Sequence, residues 1–436
     1  MNLLRLATRE LRGNPVGSAL AVLLMAFGIA TLVLLNLLLG QMQDRFERDA
    51  RGVDLVVGAK GSPMQLILSG VYHLDAPTGN VRLRDVEQLR ALPQVRQVIP
   101  LALGDSFRGA RIVGAPAEYL ELYQAQVATG RGFRAPMEVV LGAAVARRLE
   151  LAPGSRFNGA HGLGEGGPEH EDAAYTVVGV LAPSGSPLDQ LILTPIDSVW
   201  QVHASHGPAM DEPGKANDRR AAGAEHDDHA EHGADDDHDA HETHEGHPSA
   251  PEREVTVALV QYASPLAAAT LPRLINRSGA LQAASPAFES ARLMRLVGVG
   301  AEVLQAFAGV LVLASAAALL AALLATLRQR RYDIAVMRML GASRARVFAT
   351  IVLEALLLTT LGAVAGLALG HALAAGLGTW LASQGPSGME AALGGVGWRA
   401  EALYLLPLAW VIGLAAAVLP AWQAARTDVA ALLARG

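Results

Sequence analysis

Seven histidines repeat at a step of three in this chain, and they are the residues whose type and spacing most clearly offer chemistry. His226, His229 and His232 form one run, and His238, His241, His244 and His247 a second, all interleaved with aspartate and glutamate. Neutral imidazoles beside carboxylates are ligands for zinc, copper or nickel, and a step of three keeps several on one side of any transient turn. No single tetrahedral spacing stands out, so the expected site is a set of overlapping ligand combinations, with zinc the expected metal. A solvated polar spacer is the competing reading. His203 and His206, just upstream, either extend the tract or close the preceding domain.

The tract belongs to an insert, residues 207–252, that the rest of the chain carries without folding around it. Between Asp211 and His247 stand thirteen acids against Lys215, Arg219 and Arg220, a net of −10; the whole chain carries −6, so everything else sums to +4. Large apolar residues are nearly absent there, and nothing offsets the entropy of ordering such a segment, so a mobile loop is expected. Cysteine is absent from the chain. An exported domain must then be held by its core rather than by disulfides.

Four apolar runs anchor the chain. Residues 16–39, 303–327, 355–382 and 402–422 each reach the roughly 20 residues that cross a bilayer as helix. The first is too long for a signal-peptide core and lacks a small-x-small cleavage site, so it is read as a retained span rather than a cleaved leader. His371 is the one ionisable residue deep in a span, and with no acidic partner in view it is expected to pack between helices or face water. Arg5, Arg9 and Arg12 precede the first span, and Arg328, Arg330, Arg331, Arg338, Arg344 and Arg346 crowd the loop between the second and third against one acid, Asp333. Basic flanks stay in the cytoplasm. Both termini therefore belong there, and the region between spans one and two lies outside.

The resulting fold class is an α-helical membrane domain of four spans, one plus three, with an α+β periplasmic domain between spans one and two. The expected divisions are 1–40 (N-terminus and first span), 41–295 (external domain with insert 207–252), 296–327 (second span), 328–346 (cytoplasmic helix), 347–383 (third span), 384–401 (short external loop) and 402–436 (fourth span and tail). Within the external domain, residues 53–59 read as a strand ending in a turn at Gly61-Ser62-Pro63. Residues 81–92, 117–124, 143–149 and 265–275 have helical apolar spacing, and 95–99, 110–113, 139–141, 175–181 and 255–260 read as strands.

Signals for catalysis in this chain are missing. A phosphate-binding P-loop needs Lys followed by Ser or Thr, yet the two lysines, Lys60 and Lys215, are followed by Gly61 and Ala216. There is no Gly-x-Ser-x-Gly and no His-Glu-x-x-His. No catalytic residue is expected. The loop after the second span is more specific: Asp333 can cap a short helix over 334–340, Gly341 can stop it, and Ser343 can cap the helix leading into the third span. Ile334, Met337 and Leu340 fall along one side of that helix, which suits docking to a cytoplasmic partner.

Arg331-Tyr-Asp-Ile-Ala-Val-Met-Arg338-x-x-Gly341-Ala-Ser, with Glu354 early in the third span, resembles a motif of ABC-transporter permeases of the macrolide-exporter, lipoprotein-releasing and FtsX type. Leu419-Pro-Ala-Trp-Gln-Ala-Ala-Arg426-Thr-Asp-Val-Ala-Ala-Leu is similar to that family's closing segment, and residues 112–120 and 139–149 look like its external domain. Asp333, Ala335 and Val429 stand where the family more often has Glu, Gly and Pro. The resemblance implies ATP bound by a separate ABC subunit, which docks through Arg331, Asp333, Ile334, Arg338, Gly341 and Glu354. It also implies a second permease copy as homodimer partner and a lever-like transmission of ATPase movement to the external domain. Val56-Val-Gly-Ala-Lys-Gly-Ser-Pro63 also resembles permeases that accompany periplasmic zinc-binding proteins. The leading expectation is therefore an inner-membrane permease of a Gram-negative cell linked to zinc handling, in contact with membrane lipids and a periplasmic metal-binding protein, with no nucleic-acid partner. A lipoprotein, peptide or small-molecule exporter of the same architecture, and a signalling module without transport, are the alternatives.

Overall fold

The computed structural model describes residues 15–162, 169–204, 252–277, 279–329, 331–383 and 404–426. Four of its helices are long and apolar enough to cross a membrane: α1 (Pro15–Asp49), α8 (Pro286–Gln329), α10 (Arg344–Ser383) and α11 (Leu405–Ala425). Each contains one of the four apolar runs, or nearly all of it. α1 and α8 run well past the bilayer: at 1.5 Å per residue, the 44 residues of α8 extend about 66 Å, against about 30 Å of hydrocarbon. The division drawn at residue 295 consequently falls inside α8, and the one at residue 40 inside α1. The helices continue because their outer turns have somewhere to pack: Met42, Phe46, Leu293 and Met294 lie against the core of the α+β domain.

That domain opens with β1 (Leu55–Ala59) and α2 (Pro63–Gly70). The turn expected at Gly61-Ser62-Pro63 is the start of α2: Ser62 Oγ accepts from the Gln65 N–H at 3.4 Å, and Pro63 occupies the first turn, where its missing N–H costs nothing. The run 81–92, expected as one helix, begins instead as β2 (Val81–Arg82) before α3 (Leu83–Gln88) and a 3-10 turn at Leu89–Ala91. Its first residues are taken by a distant partner, β10 (Glu254–Val255), with Val81 opposite Val255. Helical spacing yields there to long-range pairing.

The remaining strands are β3 (Val95–Phe107), β4 (Ala110–Gly114), β5 (Val127–Gly130), β6 (Glu138–Leu141), β7 (Arg156–His161), β8 (Glu169–Leu181), β9 (Leu191–Thr194), β11 (Val257–Tyr262) and β12 (Leu281–Ala284). Between them lie α4 (Ala117–Leu122), α5 (Ala143–Leu149), α6 (Ile196–Ala204) and α7 (Ala267–Arg277). The strand expected over 255–260 divides at Thr256, which is buried and accepts from the Leu103 N–H at 2.9 Å. The sheet runs β12-β1-β11-β3-β4-β9-β6-β8-β5, and β7 joins β3 to β8. A path β3-β4-β9-β6-β8-β7 therefore closes on itself, while β1, β11 and β12 extend from β3 as an open wing. Among the described residues, β4–β9 and β6–β8 alone are parallel pairs. One apolar cluster, with Leu66, Leu101, Tyr119 and Leu259, lies between the wing, α2 and the helix ends; another, with Ile112, Leu141, Phe157 and Tyr175, fills the closed part.

Candidate transmission site

Between α8 and α10 stands a short helix, α9 (Arg331–Met339). Its end is built from backbone: Leu340 N–H donates to Val336 O at 3.0 Å and Ala342 N–H to Met337 O at 3.0 Å. Closing that turn requires Gly341 at φ +95°, a conformation costly for any residue with a Cβ. Ser343 Oγ then accepts from the Arg346 N–H at 3.2 Å and caps α10. Asp333, expected as the cap of α9, falls in its first turn, because the helix already begins at Arg331.

The face expected to unite Ile334, Met337 and Leu340 is split. Ile334 packs inward with Leu327 of α8, Val347 of α10 and Ala424 of α11, and Met337 lies against the same cluster. Leu340, by contrast, is 84% exposed, and Tyr332 and Met339 are more than half exposed. Ile334 thus clamps α9 to its own bundle, and the outward apolar surface belongs to Tyr332, Met339 and Leu340. Glu354 is buried in the third turn of α10. His371 holds the carbonyl of Leu367, one turn back in its own helix, at 2.9 Å from Nδ1.

At the other end of the bundle, α1 and α8 are fastened to the domain. The Phe46 and Tyr72 rings lie 4.8 Å apart, Tyr72 Oη is 2.6 Å from Ser290 Oγ on α8, and Tyr123 Oη donates to Asp49 O at 2.7 Å. Burial pushes the Tyr72 phenol up to about 12, so it remains a neutral donor at any ordinary pH. Arg111 is buried and ties the end of α2 to the chain after it, donating to Ser69 O at 3.3 Å and Asp75 O at 2.6 Å. Burial lowers its pKa to about 10, and it stays charged. His73, whose ring turns inward to meet Tyr119 Oη at 2.9 Å, is lowered to about 3, first by burial and then by Arg111. It is a neutral packing group.

The seven tract histidines lie outside the described residues, as do Arg5, Arg9 and Arg12. Among the described residues, the side chains brought together in a manner able to hold a metal are Asp105, His161 and His203, whose ligand atoms all lie within 4.8 Å of one another. Sequence reasoning singled out only His203, as a neighbour of the tract; strand pairing, which joins the other two, leaves no local signal. It also passed over a row of glycines in α10. A Cβ on Gly362 would stand 2.8 Å from Met25, on Gly366 2.7 Å from the Ala26 carbonyl, and on Gly370 2.8 Å from Val33, so α1 and α10 meet almost backbone to backbone. Their small-x-x-x-small spacing was the available sign.

A bundle of one plus three long apolar helices, a capped helix across its end and an α+β domain between the first two spans define the class. Two family models match: the MacB-like periplasmic core domain over residues 18–215 and the FtsX-like permease C-terminal region over residues 306–429. The chain belongs to the MacB/FtsX-like family of ABC-transporter permeases, multi-pass proteins that form the membrane component of a transporter with an ATP-binding partner. The periplasmic region of MacB from Actinobacillus actinomycetemcomitans is similar over 56% of this chain and 95% of its own, at 11% identity and a TM-score of 0.32. The extracellular domain of the noncanonic ABC-type transporter YknZ from Gram-positive bacteria is similar over 53% and 98%, at 14% identity and a TM-score of 0.28. No curated protein matches the chain.

Proposed function

We propose that this permease turns ATP hydrolysis by a separate subunit into movement of its α+β domain, with α9 as the docking element and α8 as the rod. The observation that carries this reading is continuity: α8 reaches without a break from the Ile334 clamp to the Tyr72–Ser290 contact. A displacement at one end of a stiff helix is delivered to the other. The four apolar runs hold no acidic or basic residue besides His371, which favours a lever over a channel. The basic flanks of the spans support a cytoplasmic α9 and cytoplasmic termini, with the domain on the periplasmic side of an inner membrane. Exposed Leu20, Leu23 and Phe27 on α1, with Val303, Phe307, Val310 and Leu313 on α8, offer apolar surface to lipid and to a second copy of the chain.

The tract supports a narrower reading, that the assembly handles zinc and that His226, His229, His232, His238, His241, His244 and His247 collect it, alongside a periplasmic metal-binding protein. Growth under zinc limitation of a strain whose permease lacks 226–247 separates this from release of another cargo: unimpaired growth would remove the zinc link. Docking has its own test. Leu340→Asp places a charge on the outward face without touching the Ile334 cluster, and Arg338→Glu reverses a charge beside it. Both variants should reach the membrane yet lose the ATP-binding subunit on co-purification, and a variant that retains it at wild-type yield would remove α9 from the docking role.

A further inference from the structure

We propose that Asp105, His161 and His203 form an ordered zinc site on the α+β domain, distinct from the histidine tract. Three elements far apart in sequence build it. β3 and β7 pair antiparallel with Asp105 directly opposite His161, so their side chains share one face of the ladder. α6 delivers His203 from its last turn.

The geometry is close to what a metal requires. His161 Nδ1 is 3.2 Å and His203 Nε2 4.0 Å from the same carboxylate oxygen, Asp105 Oδ1, and the two imidazole rings are 5.2 Å apart at 66°. A tetrahedral ion with bonds of about 2.0–2.2 Å holds its ligand atoms about 3.4 Å apart. The observed separations lie near and somewhat above that value, so closing on an ion asks for a small adjustment of the two exposed imidazoles.

The tautomer of His203 points the same way. Its Nδ1 lies 2.7 Å from Val199 O, and a carbonyl can only accept, so Nδ1 carries the proton. In the neutral ring Nε2 then carries the lone pair, 4.0 Å from Asp105 Oδ1. An imidazole whose second nitrogen donates to a backbone carbonyl is the usual arrangement around a bound metal. Asp105 is 2% exposed while the His161 and His203 side chains are 40% and 44% exposed. An ion would therefore rest on a buried carboxylate under two accessible imidazoles, with its fourth position open to water. Two nitrogens and one oxygen disfavour calcium and magnesium, which take oxygen ligands, and suit zinc.

His203 lies just before the insert 207–252 that carries the tract, so the site adjoins it in sequence. That this site receives zinc gathered by the tract rests on the zinc reading above; that it binds zinc does not.

The test titrates zinc into the full chain in detergent, into a chain lacking 226–247, and into that shortened chain carrying Asp105→Asn or His203→Gln. The shortened chain should hold one zinc, weakened roughly tenfold or more by either substitution. Cobalt should give a visible absorption band that the same substitutions remove. His203→Gln, at a half-exposed position, decides the outcome if Asp105→Asn does not fold, its metal-free melting temperature serving as the control. A shortened chain that binds no zinc, or binds it equally with and without the substitutions, overturns the site and leaves the tract as the sole collector. Equal zinc binding by the full and shortened chains removes the tract from metal collection and leaves this site standing.

Discussion

Where α1 meets α10 the contact is made at Gly362, Gly366 and Gly370, whereas β1, β11 and α2 meet through Val56, Leu66, Ile67, Val257 and Leu259, all buried. The difference follows from the solvent on the far side. In water, burying a large apolar side chain removes its surface from solvent at roughly 25 cal/mol per Å², so the domain gains most from Leu, Ile, Val and aromatic rings. In lipid a leucine is as well solvated before association as after, and helices gain only from close approach, which small residues permit. One chain thus packs large residues on large residues in the domain, and at this seam seats the α1 side chains Met25, Ile29 and Val33 against glycines of α10.

The sharpest way to break this comparison is to put a side chain into the glycine row. At Gly366 a Cβ would meet the Ala26 carbonyl at 2.7 Å and Ile29 Cβ at 2.8 Å, and backbone cannot move aside as a flexible side chain would. At Gly376, on the same helix, a Cβ meets nothing within 4 Å. Gly366→Leu should exceed the usual overpacking cost of about 1–3 kcal/mol and separate α1 from α10, while Gly376→Leu should be nearly silent. Thermal unfolding of the two variants in detergent decides; equal melting temperatures would mean that the row is not what joins the helices.

The same contrast explains which parts of the molecule could be read from the chain. The four spans announce themselves by composition alone, and α5 was placed at its observed bounds because a surface helix on a soluble domain shows its pattern locally. The glycine row does not stand out in the sequence, because apolar content, not residue size, marks a span. α2 was passed over at Ser62-Pro63, a cap that reads equally well as a turn. Residues 81–92 carry only a helical pattern locally, because β10, the partner that claims Val81, lies far along the chain beyond the insert. In the transmission site, Gly341 and Ser343 were legible as a stop and a cap, since both act on adjacent backbone. The inward turn of Ile334 was not, because it depends on Leu327, Val347 and Ala424 arriving from three other helices. Asp105 and His161 were invisible for the same reason, their meeting being a matter of strand register.

A second way to sharpen the comparison uses acid. His73 is kept neutral inside the domain with a pKa near 3 against an ordinary 6.5. Between those values the unfolded chain binds a proton that the folded chain does not, so stability is whole above about 6.5 and falls as pH drops towards 3. One such proton gives a slope of up to about 1.4 kcal/mol per pH unit. His73→Asn, which tolerates the local φ of +55°, should flatten that part of the acid limb of the domain's unfolding. An unchanged slope would assign the acid sensitivity to other groups.

The smallest expected effect tests whether charge contributes to the domain at all. Arg82 and Arg84 each reach Glu252 at 2.9 Å, tying the β2–β10 ribbon, yet all three side chains are about half exposed. Water screens such pairs, and their worth is typically below about 1 kcal/mol and falls further with salt. Glu252→Gln should therefore lower the domain's melting temperature by about 2–4 °C at most in dilute buffer, and by less in high salt. A larger, salt-independent loss would mean that the ribbon depends on this carboxylate for placement rather than for charge.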